Sequence, residues 1–172
     1  MRSSLRYLAA AVLPLCVLLW LPLEPLCVLT WGREICLAAH PIDPRDPFRG
    51  DYVALEMDAA SVPDAAFQPA SLVSAFGREC FVTLAPEPSG LWGPSSVTLT
   101  EPEEGVYLRG RIDFRKVGSM VHVDLGDGLR RFYVPEGTGQ ALERAARDGK
   151  NYRATVRVLR GRAVIAALDV MP

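Results

Sequence analysis

PIDPRDPFRGDYVALEM, residues 41 to 57, decides the fold reading, because it ends one strand, turns the chain and opens the next. Val53, Leu55 and Met57 alternate with Ala54 and Glu56, the period of two that a half-buried strand requires. Upstream, Pro41, Pro44 and Pro47 fix three φ angles and push the residues before them toward extended conformations. The connection is therefore read as a stiff loop with little freedom to lose on folding. Gly50 permits a turn that a side chain would block, and Asp51 suits an Asx turn. Asp43, Arg45, Asp46, Arg49 and Asp51 mix signs over a short span, and arginine forks two hydrogen bonds onto a carboxylate. Phe48 is the large apolar residue expected to seat the loop on the core. Two readings compete. Asp43, Arg45, Asp46, Arg49, Asp51 and Tyr52 form a rigid recognition surface, or the ion pairs satisfy one another in a structural corner.

Before this stretch the chain is apolar. Arg2 and Arg6 precede a run from Tyr7 to Leu23 that has no charged residue, near the lower limit for a helix that spans a bilayer. Glu24 interrupts it, and Leu26 to Trp31 resumes as an apolar shoulder. A cleaved signal peptide is the rival, but residues 23 to 32 carry no small-x-small site. Pro14 and Pro22 are expected to kink the helix, and Trp20 and Trp31 suit interfacial positions. With the arginines preceding the span, the positive-inside rule leaves the C-terminal part outside the cytoplasm. This divides the chain into residues 1–32, a cytoplasmic N-terminus, membrane anchor and juxtamembrane segment, and residues 33–172, one extracytoplasmic domain.

Composition limits the partners. A net charge of −1 gives no global field for nucleic acid. His40 and His122 are isolated and no CxxC occurs, so the sequence carries no metal or cofactor signature. Cys36 and Cys80 each fall inside an expected strand, and an oxidising compartment permits a bond between them, with two buried thiols as the alternative.

After Arg33 the pattern is β. Strands are expected at residues 34–40, 51–57, 79–85, 96–100, 106–114, 120–125, 129–134, 152–159 and 162–170. Gly126-Asp127-Gly128 signals a hairpin, and Arg160-Gly161 a second one. Ala70–Phe76 reads as a short helix with Leu72, Val73 and Phe76 inward, and Trp92 as a loop aromatic. One helix is expected at about Gly139 to Arg147, capped by Thr138. The fold class is mainly β: a small barrel or sandwich of about eight strands with one helix, behind a single N-terminal transmembrane helix. His122 and Asp124 share a strand face without a nucleophile beside them, and are read as a solvated face. Arg153, Arg157, Arg160 and Arg162 gather near the last hairpin, either to meet anionic lipid or as a polar outer face.

Pro41–Arg49, followed by Gly50-Asp51-Tyr52-Val53-Ala54-Leu55, resembles the signature of the bacterial GDYXXLXY family. Met57 stands where that signature has tyrosine, and Ile42 where it has valine. Gly128–Gly137 and Leu108-Arg109-Gly110 resemble two further blocks. The resemblance implies a membrane-anchored protein without established activity, a companion of multi-span membrane proteins. The expected role is thus an accessory or interaction domain outside the cytoplasmic membrane. One alternative is a binding module in which Arg45 and Arg49 receive a small anionic ligand. Another is a hydrolase like a signal peptidase, but no serine stands before Gly50 as expected, and Lys116 and Lys150 lie outside any serine–lysine motif. No catalytic residue is assigned.

Overall fold

The computed structural model describes residue 12 and residues 14–42, 52–133 and 150–171. Pro14–Trp31 is an apolar helical run of 18 residues, long enough to cross a membrane. It breaks at Leu21 and Pro22, where proline has no N–H to give the preceding turn. Helix α1 (Leu23–Trp31) restarts beyond it and ends at Gly32, whose N–H donates to Val28 O at 2.8 Å.

The strands are β1 (Arg33–Ile42), β2 (Tyr52–Met57), β3 (Ser61–Pro63), β4 (Glu79–Pro86), β5 (Trp92–Thr98), β6 (Val106–Val117), β7 (Met120–Asp124), β8 (Arg131–Tyr133), β9 (Tyr152–Leu159) and β10 (Arg162–Val170). They form two five-stranded sheets, β10-β9-β1-β2-β8 and β3-β7-β6-β4-β5. Within each sheet the strand pairs are antiparallel. The chain crosses from one sheet to the other between β2 and β3, through a 3-10 turn at Asp58–Ala60 that buries Ala59 and Ala60. Across the molecule, Arg109 N donates to Gly161 O at 2.7 Å and ties β6 to the β9–β10 turn. These links make the sheets a nearly closed barrel, the mainly β architecture expected.

Strand alternation fills the interior. β1 sends Ile35, Leu37 and Ala39 inward, β2 Val53, Leu55 and Met57, β4 Cys80, Val82 and Leu84, and β9 Tyr152, Ala154, Val156 and Val158. β9 and β10 turn at Arg160 (φ 49) and Gly161 (φ 76), the left-handed pair that a two-residue hairpin needs.

Several expectations change. Gly126-Asp127-Gly128 does not close a hairpin. β7 already has β6 on one edge and β3 on the other, so β8 has no edge to join and pairs with β2 instead. A 3-10 turn at Asp127–Leu129 carries the chain to the other sheet and buries Leu129. Ser61–Pro63 forms β3, a strand outside those expected, of three residues and ending in proline. Trp92 starts β5, half-buried against the core, with the Arg33 guanidinium 5.3 Å from its ring centre. The 3-10 segment Ala70–Ser74 buries Leu72, while Phe76 stays exposed. The Cys36–Cys80 bond is absent: both are free thiols. Cys36 sits between inward Ile35 and Leu37 and so faces away from the interior that encloses Cys80. Burial pushes the Cys80 thiol up to about 12, which keeps it unreactive. The helix read at about Gly139 to Arg147 lies outside the described residues.

Candidate functional site

β2 carries the centre of the GDYVALEM sequence, and its alternation places two kinds of side chain. Leu55 and Met57 enter the core, while Glu56 stays half-exposed on the opposite face. β7 does the same with Val121 and Val123 inside and His122 and Asp124 on the other face. Where β2 and β7 part, a cleft of about 360 Å³ opens. Leu55, Met57, Val123, Leu125 and Leu129 give it an apolar floor, and Glu56, Arg115, His122, Asp124, Arg130 and Arg131 supply charge and hydrogen-bonding groups.

The polar groups are organised. His122 Nδ1 lies 3.3 Å from Glu56 Oε1. Arg115 reaches Asp113 at 2.9 Å and Glu56 at 3.9 Å. Arg130 meets Asp124 at 3.1 Å, and Asp124 also accepts Gly126 N–H at 2.9 Å. The His122 side chain is only 12% exposed, so the reading of a solvated face is corrected. Burial first, and the Arg115 charge second, hold the His122 pKa below its ordinary value, against the opposing pull of Glu56.

That shift has a pH consequence. A depressed folded-state pKa means the unfolded chain takes up the proton first as pH falls. His122 therefore leaves stability intact above its ordinary pKa of about 6.5 and removes it as pH drops from there through the lower folded value. One proton gives a slope of at most about 1.4 kcal/mol per pH unit. His122→Gln is expected to flatten the acid limb of a Tm–pH profile; an unchanged limb would show that other groups set it.

The sequence-derived residues divide. Asp43, Arg45, Asp46, Arg49 and Asp51 lie outside the described residues. Tyr52 opens β2, with Tyr133 of β8 as its Cα partner. Ile42, on the other side of the undescribed stretch, lines the cleft. Ala54, the third residue of β2, lines it as well. On β1, His40 Nε2 lies 2.6 Å from Asp58 and its Nδ1 2.8 Å from Asn151 Oδ1, tying β1 to the start of β9. Glu56, Arg115 and Arg130 were missed. Period-two alternation put Glu56 on a polar face, but only the pairing across sheets brings it to His122.

Hydrolytic groups are not assembled among the described residues. Ser61 is the Cα partner of His122, yet its hydroxyl makes no described hydrogen bond. Lys116 is paired with Asp64 at 2.7 Å.

An apolar helix joined to a small antiparallel β-barrel with a charged cleft beside its second strand defines the class of protein. The chain belongs to the GDYXXLXY protein family, whose description matches residues 14–168. No curated protein and no solved structure matches it.

Proposed function

We propose that this protein is a bacterial membrane-anchored accessory domain. It sits outside the cytoplasmic membrane and engages an integral, multi-span membrane protein through segment 43–52 and the adjoining cleft. The observation that carries the reading is the convergence of the signature strand on that cleft: β2 supplies Ala54, Leu55, Glu56 and Met57 to its lining, and Ile42 at the end of β1 lines it too. A surface with a preset polar network costs little ordering on binding. The apolar helix supports anchoring, and Arg2 and Arg6 before it support an outward orientation by the positive-inside rule.

The test is a pull-down from native membranes in mild detergent at matched protein levels. Arg49→Ala and Asp51→Ala are expected to reduce copurification of a multi-span protein about tenfold, the effect of roughly 1.4 kcal/mol in affinity, with folding retained. Binding that falls only as far as thermal stability falls would reduce the loop to a structural corner.

A second reading is supported by Arg115, Arg130 and Arg131 around an apolar floor: a binding module for a small organic anion. Stabilisation of the full chain by citrate, lost in Arg130→Ala, would favour it over a protein interface.

A further inference from the structure

Helix α1 does not lead to the barrel through a linker. Gly32 alone separates Trp31 from Arg33, the first residue of β1. A Cβ at Gly32 would collide with Val28 O and stand 3.0 Å from Val158 N, so the helix end lies directly on β9. Val28 is buried there. Glu24 forms an ion pair with Arg162 at the start of β10. Arg157 donates to Gly32 O at 3.2 Å and pairs with Glu34 at 2.8 Å. The last turns of the helix are thus clamped to one end of the barrel.

Their other face is apolar and uncovered. Leu23, Leu26, Leu29 and Trp31 are 47%, 52%, 38% and 70% exposed, continuous with exposed Leu15, Val17, Leu18, Leu19 and Trp20. The barrel end beside them is basic. Arg33, Arg109, Arg157, Arg160 and Arg162 stand there with Glu24, Glu34, Glu79 and Glu101, five positive charges against four negative. Arg160 stands exposed in the β9–β10 turn, and Arg33 lies over Trp92.

We infer that the barrel is seated on the bilayer by this end, with the β9–β10 turn at the depth of anionic phospholipid headgroups. This rests on the anchoring reading above. An apolar helix face that leads without a hinge into an arginine-rich turn matches the order of a lipid leaflet, acyl chains first and phosphates next. Arginine binds phosphate with its fork of donors, and tryptophan favours the interfacial zone. The glutamate of the Glu24–Arg162 pair enters that zone already neutralised. Seating fixes the orientation of the domain, so the cleft beside β2 is presented at a set height and angle.

The test uses the full chain in vesicles of phosphatidylcholine with and without phosphatidylglycerol, checked for co-flotation. Two reporters are made in a Trp20→Phe, Trp31→Phe, Trp92→Phe background: Arg160→Trp, and Val117→Trp at the far end of β6. A lipid with a headgroup nitroxide is expected to quench the Arg160→Trp reporter several-fold more than the Val117→Trp reporter. In the wild-type chain, hydrogen exchange over residues 159–162 is expected to slow several-fold when phosphatidylglycerol is added, and Arg160→Glu removes the difference. Equal, weak quenching at both reporters in a chain that floats with the vesicles overturns seating and leaves anchoring intact. A chain that does not float overturns both.

Discussion

Leu37→Ala is expected to lower the unfolding free energy of the barrel by about 3 kcal/mol, within the ~2–5 kcal/mol range for such truncations. Leu37 is fully buried on β1, and β1 is the middle strand of its sheet. Its neighbours cannot close the space easily. β9 pairs with β1 through Leu37 and β2 joins the other edge from Ala39 onward, and the residue paired with Leu37 is Ala154, already small and fully buried. The lost methyl groups therefore cost both their transfer energy and a cavity. Against a typical net stability of ~5–15 kcal/mol this is a large fraction. For a domain of this size it corresponds to a fall in Tm of roughly 10 °C. Near-UV circular dichroism of the detergent-solubilised chain during heating measures it. Val117→Ala, at a position 80% exposed, serves as the control and should change stability by less than about 0.5 kcal/mol. Equal shifts in the two variants would show that β1 is not the centre of the core.

What the sequence makes legible is local: alternation along one strand names the inward residues without knowledge of the partner strand. Val53 and Leu55 are read in this way, residues 34–40 are read as a strand without an inward face assigned, and the mainly β class follows from the same alternation. The β9–β10 hairpin was legible because its turn and both strands are adjacent in sequence. Long-range pairing was not legible. The glycines at 126 and 128 look the same whether the next strand folds back or crosses to the other sheet, and only the occupancy of both edges of β7 decides it. The cleft has the same origin. Glu56 and His122 are far apart in sequence, and neither flank hints at the other. Cys36 and Cys80 illustrate the converse: both fall in strands as expected, but a strand has two faces, and the sulfurs occupy opposite sides of the wall. For Arg157 and Arg162 the polar outer face was a sufficient sequence reading, but their partners Glu34 and Glu24 show that they also fasten the helix to the barrel.

Gly110→Ala is expected to destabilise the barrel by about 1–3 kcal/mol, although the same exchange at an unhindered site stabilises by about 0.4–1 kcal/mol through the unfolded chain. The sign turns on space. Gly110 lies in β6 opposite Cys80 of β4. A Cβ there would stand 2.6 Å from Val123 Cγ1 and 2.9 Å from the backbone oxygen of Asp124. The side chain of Val123 can rotate away only within a filled core, and the Asp124 carbonyl can move only if β7 shifts. Because Asp124 and Leu125 line the cleft, the strain reaches the Arg130–Asp124 pair and the loop beyond it. A double-mutant cycle separates the two contacts. Val123→Ala alone opens a cavity and costs stability, yet in the Gly110→Ala background it also relieves the nearer clash. The pair should therefore be less damaging than the sum by at least about 0.5 kcal/mol. Strict additivity would place the strain on the Asp124 backbone, and the cleft would then show it as a weakened response of the acid limb to His122→Gln. A Gly110→Ala variant as stable as the parent would mean that β6 and β7 do not approach as closely as the barrel requires.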